Sequence, residues 1–375
     1  MKIADVKGFL VHPPPSKRGW SISKHLLFVK VETDEGIEGW GEAFTLKDRE
    51  RNIHQNITNL SRYLVGSNPF RIKDFTHWAC NRFSEGRGAL ELFCAVSGIE
   101  QALWDIVGKR LNTPVYNLLG GPCRDKIRVY ANGWTSGAKT SEEMARRAVE
   151  VVNLGFDAIK FYPFQNNGPE RAIVENVRSV REAVGPDITI LIDVWRGADP
   201  PKAIRVARML EELDIFWYEE PVPSENLDVL AEVRRSINVP VVTGECLYTK
   251  FDFREVLERR AADILNPDVA SCGGILELKE ISAMAEPYYV SISPHNYNST
   301  TVALAATIQA SAVIPNFLMT EYFVSFTDIG NTISLNPPKV EKGYIRLPTT
   351  PGLGLDMNEA VLEDYPFQEF PRRTW

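Results

Sequence analysis

The sequence predicts an α/β protein built on a closed parallel barrel of eight strands. Three observations carry that expectation. Eight short apolar segments follow one another, at residues 127–133, 157–164, 188–195, 216–221, 240–245, 264–269, 289–295 and 315–322. Their starts lie 24 to 31 residues apart, the length of a strand–loop–helix unit. Amphipathic helical stretches fill most of the gaps, most clearly SEEMARRAVEVVNLG, ERAIVENVRSVREAVG and PKAIRVARMLEELD. An open doubly wound sheet is the alternative, but the chain has no Gly-x-Gly-x-x-Gly turn after a strand, and eight units suit a barrel better.

The elements before the barrel read differently. HLLFVKVET (25–33) and the following GIEGWGEA are β-branched and alternating, broken by Asp-Glu-Gly, which signals a hairpin. From about Asn52 to Lys109 the pattern turns helical, and ALELFCAVSGIEQALWDIVGK (89–109) has the spacing of a buried helix. LLGG followed by Pro122 closes this region, because glycine permits a left-handed cap and proline cannot continue a helix. Beyond Leu335 a Gly/Pro-rich stretch, PGLGLDMN, precedes a short helical signal, and this tail is expected to return to the N-terminal part.

Composition narrows the function. The 375 residues are 44% hydrophobic and 24% charged, as in ordinary globular proteins. A net charge of −7 argues against nucleic-acid binding, which needs clustered Lys and Arg. The five cysteines (Cys80, Cys94, Cys123, Cys246 and Cys272) are scattered without a Cys-x-x-Cys pair, as expected of reduced thiols. The N-terminus carries charge among its apolar residues, unlike a secretory signal, and no apolar run approaches the ~20 residues of a membrane span. A cytoplasmic protein that binds neither membrane nor nucleic acid is expected.

The chemistry lies at the strand ends, where the loops of a parallel barrel converge. Asp193 closes the third segment, Glu219 and Glu220 the fourth, Glu245 the fifth, Asp268 the sixth, His295 the seventh and Glu321 the eighth. Lys160 and Tyr162 lie in the second. Asp193, Glu219 and Glu245 are each 26 residues apart, which suggests equivalent points of neighbouring units. Three converging carboxylates repel one another unless a cation intervenes, and hard oxygen ligands favour Mg²⁺. The competing reading makes them helix N-caps, which Asp supplies often and Glu rarely. Asp268 beside His295 forms the orienter–base pair that general-base catalysis needs, although lone histidines are often core residues. Lys160 offsets the charge of a substrate carboxylate or enediolate, or else is a lysine reaching to the surface. Glu321 donates a hydrogen bond if acidic crowding keeps it protonated, or else faces water. GWGEA (39–43) and SCGGI (271–275) read as a strand turn and a tight loop, neither a phosphate loop.

These residues, with VKVETDEGIEGWGEA, SGIEQALWDIVGK, VYANGW, WYEEPV, FDFREVLE, ILNPDVASCGGI and PGLGLDMN, resemble the mandelate racemase subgroup of the enolase superfamily. The resemblance spans nearly the whole chain and is strongest to sugar-acid dehydratases of the galactonate and gluconate type. It implies a modified (β/α)₇β TIM-like barrel at 126–335, an α+β capping domain at 1–125 and a C-terminal segment at 336–375 returning to the cap. It implies Asp193, Glu219 and Glu245 as ligands of Mg²⁺, Asp268 and His295 as the base dyad, and Glu321 at the substrate carboxylate or enediolate. It further implies a small acid-sugar substrate, with cap residues near Pro15–Trp20 completing the pocket and Trp20 among the substrate contacts. A homo-oligomer is expected.

Two departures from the family pattern matter. Where many relatives carry Lys-x-Lys on the second strand, this chain has Lys160-Phe161-Tyr162. Where galactonate dehydratases place a histidine two residues after the first ligand, it has Trp195. Tyrosine, with a reference pKa of about 10, is a donor rather than a base at neutral pH, and tryptophan cannot take a proton. Both usual places for a second base are therefore filled by other chemistry. A one-base dehydration follows: His295 takes the α-proton, Glu321 and the cation hold the enediolate, and His295 or Tyr162 assists departure of the β-hydroxyl. Trp195 supplies an apolar wall to the substrate. Isomerisation (epimerisation, racemisation or lactone cycloisomerisation) through the same enediolate is the enzymatic alternative. A catalytically degraded ligand-binding relative is the alternative of another class.

Overall fold

The structure is a computed structural model and describes residues 1–20, 24–164, 168–297 and 299–371. Strands β1 (Ile3–Val11), β2 (Leu26–Thr33) and β3 (Glu38–Ala43) form an antiparallel sheet in that order. Gly36, at φ 77°, makes the turn that the Asp-Glu-Gly signal predicts. Helices Glu50–Leu64, Ile72–Trp78 and Leu90–Arg110 accompany the sheet. The last of these is buried on nearly every face. Its backbone lies against β3 so closely that a Cβ on Gly41 would fall 1.8 Å from the Gly98 carbonyl oxygen, so only glycine fits there.

Eight parallel strands then form the barrel: β4 (Lys126–Asn132), β5 (Ala158–Phe161), β6 (Thr189–Asp193), β7 (Ile215–Glu219), β8 (Val241–Thr243), β9 (Ile264–Leu265), β10 (Ser291–Ile292) and β11 (Thr320–Phe323). β4 to β10 pair in sequence order, and β11 pairs with β4. A parallel bridge between Ile292 and Phe317 links β10 to the chain entering β11 and closes the ring. A helix follows each of the first seven strands, so this is a modified (β/α)₇β barrel beneath an α+β cap.

All eight predicted segments become strands, but the later ones are shorter than expected. Pro267 and Pro294, which lack an N–H, stand just after β9 and β10 and interrupt further ladder pairing. The eighth strand starts only at Thr320 and continues past Glu321 to Phe323, so Glu321 lies within the strand.

Inside the barrel, side chains alternate in and out with a period of two. Tyr130, Ala158, Leu191, Trp217, Val242, Ile264 and Met319 form one buried apolar cluster, a floor to which seven of the eight strand segments contribute. Tyr130 and Trp217 meet edge to face there, with ring centroids 5.2 Å apart. Two residues further along each segment stand Asn132, Lys160, Asp193, Glu219, Gly244, Asn266 and Glu321. The floor excludes water from below, and this polar layer sits directly on it.

Two carboxylates fasten the cap to the barrel. Glu100 Oε2 accepts from the N–H of Ile275 at 2.8 Å, and Glu100 Oε1 from that of Leu276 at 3.0 Å, at the start of helix Ile275–Ala285. Gly274, with φ 98°, leaves room for that approach. Glu42 Oε2 likewise accepts from the Ala303 N–H at 2.9 Å, Ser299 Oγ at 2.7 Å and Thr301 Oγ1 at 3.1 Å, at the start of helix Val302–Ala312. A carboxylate at a helix N-terminus satisfies orphan donors and the helix dipole, worth up to ~2 kcal/mol when partly buried.

The tail first touches the barrel, which the sequence reading did not anticipate. Strands β12 (Val340–Glu341) and β13 (Tyr344–Arg346) form a hairpin, and β13 pairs antiparallel with the N-terminal half of β4. The chain then contacts cap elements through a Val11–Pro366 bridge, a Lys30–Glu359 ion pair at 2.6 Å, and Leu353 N–H donating to Asp105 at 2.8 Å. Among the described residues, no helix is long and apolar enough to cross a membrane.

Candidate active site

The polar layer above the floor gathers the charged residues singled out from the sequence. Asp193 and Glu219 are direct register partners on β6 and β7, so these two do occupy equivalent points. Glu245 does not. Glu219 pairs with Val242, and Gly244 (φ 143°) takes the inward position on the next strand, so Glu245 follows beyond the strand end. The equal spacing of 26 residues therefore conceals a difference in height. The three carboxylates still converge, with one oxygen from each lying within 4.8 Å of the others.

Their surroundings favour a cation. Among the described residues, Glu219 Oε2 and Asp193 Oδ2 accept no hydrogen bond, although both atoms are buried, and Asp193 Oδ2 has the Lys160 ammonium 3.4 Å away. Burial and the neighbouring carboxylates push Asp193 up to about 6 and Glu219 well above the usual carboxylate range. Orphaned acceptors on crowded carboxylates fit a hard divalent ion that supplies the missing charge.

Lys160, fully buried, is the hub of this layer. Its Nζ lies 2.7 Å from Glu219, 3.1 Å from Glu321 and 3.4 Å from Asp193. Burial disfavours the ammonium, yet Glu219 and Glu321 hold its pKa well above normal. A lysine reaching to the surface is thereby excluded. Tyr162 stands one inward position higher on the same segment. Its oxygen accepts from Asn132 Nδ2 at 2.9 Å, and burial raises the phenol, so it keeps its proton.

His295 and Asp268 face each other across a parallel bridge. Nδ1 of His295 lies 2.7 Å from Asp268 Oδ2, while Nε2 lies 3.2 Å from Glu245 and 3.6 Å from Glu321. Burial alone would lower this imidazole, but Glu321, Asp268 and Glu245 raise it to about 9. Asp268 Oδ1 is held by the Ala270 N–H at 2.8 Å, which fixes the carboxylate behind the ring.

Glu321 departs from expectation. Its neighbours are donors and cations: Asn132 Nδ2 at 2.6 Å, Lys160, the Asn296 N–H at 3.1 Å and His295. Burial works against its charge, but Lys160 and His295 bring it down to about 2. It is ionised and accepts hydrogen bonds; it does not donate one.

The two tryptophans separate. Trp195 is 65% exposed at φ 49°, with the Arg196 guanidinium 5.7 Å from its ring centroid. Trp20 is buried within the large apolar cluster, with Arg18 5.7 Å from its ring. Cap residues 21–23 lie outside the described residues.

Four residues near the site went unassigned from the sequence. Asn132 joins Tyr162 to Glu321, and Asn266 donates to Glu219 at 2.9 Å. Both sit two residues beyond a floor residue, so the period of two would have found them. Arg196 pairs with Glu245 at 2.6 Å and with Glu220 at 3.6 Å. Glu220, noted only as an acid, is buried and accepts from Thr243 Oγ1 at 2.6 Å.

Family comparison agrees with this architecture. Residues 143–361 match the profile described as enolase C-terminal domain-like, and residues 9–120 match the mandelate racemase/muconate lactonizing enzyme N-terminal domain. The chain belongs to the mandelate racemase/muconate lactonizing enzyme family of the enolase superfamily. Among curated relatives it is 36% identical over 349 residues to a D-galactonate dehydratase from Ralstonia pickettii, covering 90% of each chain. It is 34% identical over 352 residues to a D-xylonate dehydratase from Haloferax volcanii, covering 90% of this chain and 84% of that one. Among solved structures, a mandelate racemase/muconate lactonizing enzyme-like protein from Rubrobacter xylanophilus superposes with a TM-score of 0.89 at 33% identity, covering 99% of this chain and 98% of that one.

Proposed function

We propose that this enzyme, a lyase by the dehydratase names of its relatives, removes the α-proton of an acid sugar and eliminates the β-hydroxyl as water. The product is a 2-keto-3-deoxy acid. The observation that carries this reading is the His295–Asp268 pair opening, through Nε2, onto the carboxylate triad and Lys160.

Asp193, Glu219 and Glu245 would hold Mg²⁺, for which the convergence of the three and the unbonded oxygens and raised pKa values of Asp193 and Glu219 are the support. Bound there, the ion supplies Lewis-acid charge that makes the α-proton more acidic and stabilises the enediolate. Lys160 donates to the substrate carboxylate while Glu219 and Glu321 hold it in place. Glu321, ionised, is a positioning residue for Lys160 and His295. Asp268 keeps the His295 Nδ1 proton in place, so Nε2 is the basic atom. Nε2 of the neutral imidazole takes the α-proton, and Glu321 and Glu245, 3.6 and 3.2 Å away, support the imidazolium that results. The Cα–H bond breaks toward Nε2, the Cβ–O bond breaks, and the hydroxyl leaves with a proton from His295 or Tyr162. The resulting enol tautomerises to the keto acid.

Tyr162 cannot serve as a second base because its phenol is held protonated, which favours one-base elimination over two-base racemisation. Trp195, at the end of β6, is assigned to the rim that covers substrate, and Trp20 to the cap side of the binding region. Cytoplasmic action is proposed from the cysteine usage. The test is incubation with Mg²⁺ and a panel of acid sugars in D₂O, followed by assay of 2-keto acids. Keto-acid formation that ceases on chelation is expected. Deuterium uptake at Cα without keto acid would replace dehydration by isomerisation.

A further inference from the structure

The Asp268 carboxylate that orients His295 is itself held from the cap. Asp268 Oδ2 meets His295 Nδ1 at 2.7 Å, and Asp268 Oδ1 accepts from the Ala270 N–H at 2.8 Å. That N–H belongs to the peptide group joining Val269 to Ala270, whose other polar end is the Val269 carbonyl. The carbonyl accepts from Gln101 Nε2 at 3.3 Å. Gln101 is fully buried on the cap helix Leu90–Arg110. One peptide group therefore carries a cap side chain at one end and the orienting carboxylate at the other.

Gln101 is fixed in its turn. Its Oε1 accepts from the Glu42 N–H at 3.2 Å, and its Nε2 donates to the Glu42 carbonyl at 3.0 Å. Glu42 stands on β3, the edge of the cap sheet, so this amide takes the place of a neighbouring strand. A planar amide engaged through its oxygen and through both of its nitrogen contacts has one orientation. The adjoining loop is clamped from the same side: the Phe44 N–H donates to the Ala270 carbonyl at 3.0 Å, and Ser97 Oγ accepts from the Gly273 N–H at 2.9 Å. Hydrogen bonds in series polarise one another, so donation to the Val269 carbonyl strengthens the Ala270 N–H as a donor to Asp268.

We propose that Gln101 is a positioning residue for proton abstraction, holding Asp268, and through it His295, by way of the Val269–Ala270 peptide. This rests on the reading of His295 as the base. The cap helix sets the direction of the imidazole without touching the substrate. If the peptide is free to turn, the carboxylate turns with it, and Nε2 loses its fixed aim at the α-carbon.

The test compares wild type, Gln101→Met, Asp268→Ala and the double variant with Mg²⁺, on five- and six-carbon aldonic and aldaric acids. Methionine matches glutamine in length but donates no hydrogen bond. Gln101→Met is expected to lower kcat and α-proton exchange about three- to tenfold, the size of one hydrogen bond, and to leave KM within about twofold. The double variant should be no slower than Asp268→Ala, because the chain is then already cut. A loss in KM alone, or losses that multiply in the double variant, would overturn the proposal. The proton between His295 Nδ1 and Asp268, recognised in the ¹H NMR spectrum by its disappearance in Asp268→Ala, should move upfield in Gln101→Met. An unmoved signal would also overturn it. If no acid turns over, or if Asp268→Ala leaves exchange unchanged, the reading of the base falls and the signal alone decides for or against Gln101. Should Gln101→Met fail to fold, wild-type amide exchange decides: an Ala270 N–H as slow as the barrel strands supports the relay, and one as fast as an exposed loop rejects it.

Discussion

The barrel and the cap approach one site with opposite chemistry. The barrel's charges are dense and mutually paired: Lys160 meets three carboxylates, and His295 meets Asp268, Glu245 and Glu321. The cap brings Lys24, buried between the Phe44 and Tyr297 rings, which among the described residues makes no ion pair. A group whose partners are all present is built for a reaction common to many substrates. Glu42 and Glu100 hold the two structural units in register.

The largest expected effect breaks the barrel side. Asp193→Asn or Glu219→Gln should abolish divalent-cation dependence and reduce turnover by at least about 100-fold, since losing a ligand should cost no less than losing a group that orients one. Titrating metal against activity checks this. Asp268→Asn comes next, because it removes the carboxylate that orients the imidazole. A loss of about 10- to 100-fold in kcat with little change in KM is expected. The accompanying displacement of the pH–rate profile separates orientation from simple unfolding.

Stability should report the same crowding through pH. The folded metal-free protein holds Asp193 at about 6, Glu220 at about 7 and His295 at about 9, each above its unfolded value. It therefore binds more protons than the unfolded chain, and stability falls as pH rises. The two acids lose their contribution between about pH 4 and 7. The contribution of His295, complete below about 6.5, is lost as pH passes 9. Glu321, held at about 2, acts oppositely but is fully ionised above pH 5 in either state. The Tm without metal should drop from pH 5 to pH 9, and saturating Mg²⁺ should raise Tm more at pH 8 than at pH 5. An Mg²⁺ effect independent of pH would contradict the charge account of the triad.

The smallest effect belongs to Trp195. It is mostly exposed and adopts a left-handed backbone, so Trp195→Gly should leave stability within ~0.5 kcal/mol. A change in KM larger than about threefold on that substitution would make it a substrate wall rather than a rim residue, sharpening the division between barrel and cap.

Much of the barrel was legible because repetition makes chemistry visible. Eight apolar segments at similar intervals, several ending in an acid, point to one face before any coordinate is known. The same periodicity held more than was read from it. Asn132 and Asn266 stand in the polar layer but carry no charge to draw attention. Glu245 lies higher than its spacing implies, because Gly244 ends the strand register first. Glu321 was expected in an acidic crowd, but burial between Lys160 and His295 is a tertiary fact. Lys24 was invisible for the same reason: its partners Phe44 and Tyr297 come from opposite parts of the chain. Repeated units announce themselves in sequence, whereas a contact between cap and barrel does not.

The central claim is that His295 takes the α-proton, and solvent-deuterium exchange on a confirmed substrate tests it most directly. His295→Asn with Mg²⁺ bound should lower α-exchange by at least about 100-fold while leaving substrate affinity within a few-fold. Unchanged exchange in that variant would show that another group removes the proton and would overturn the assignment of the base.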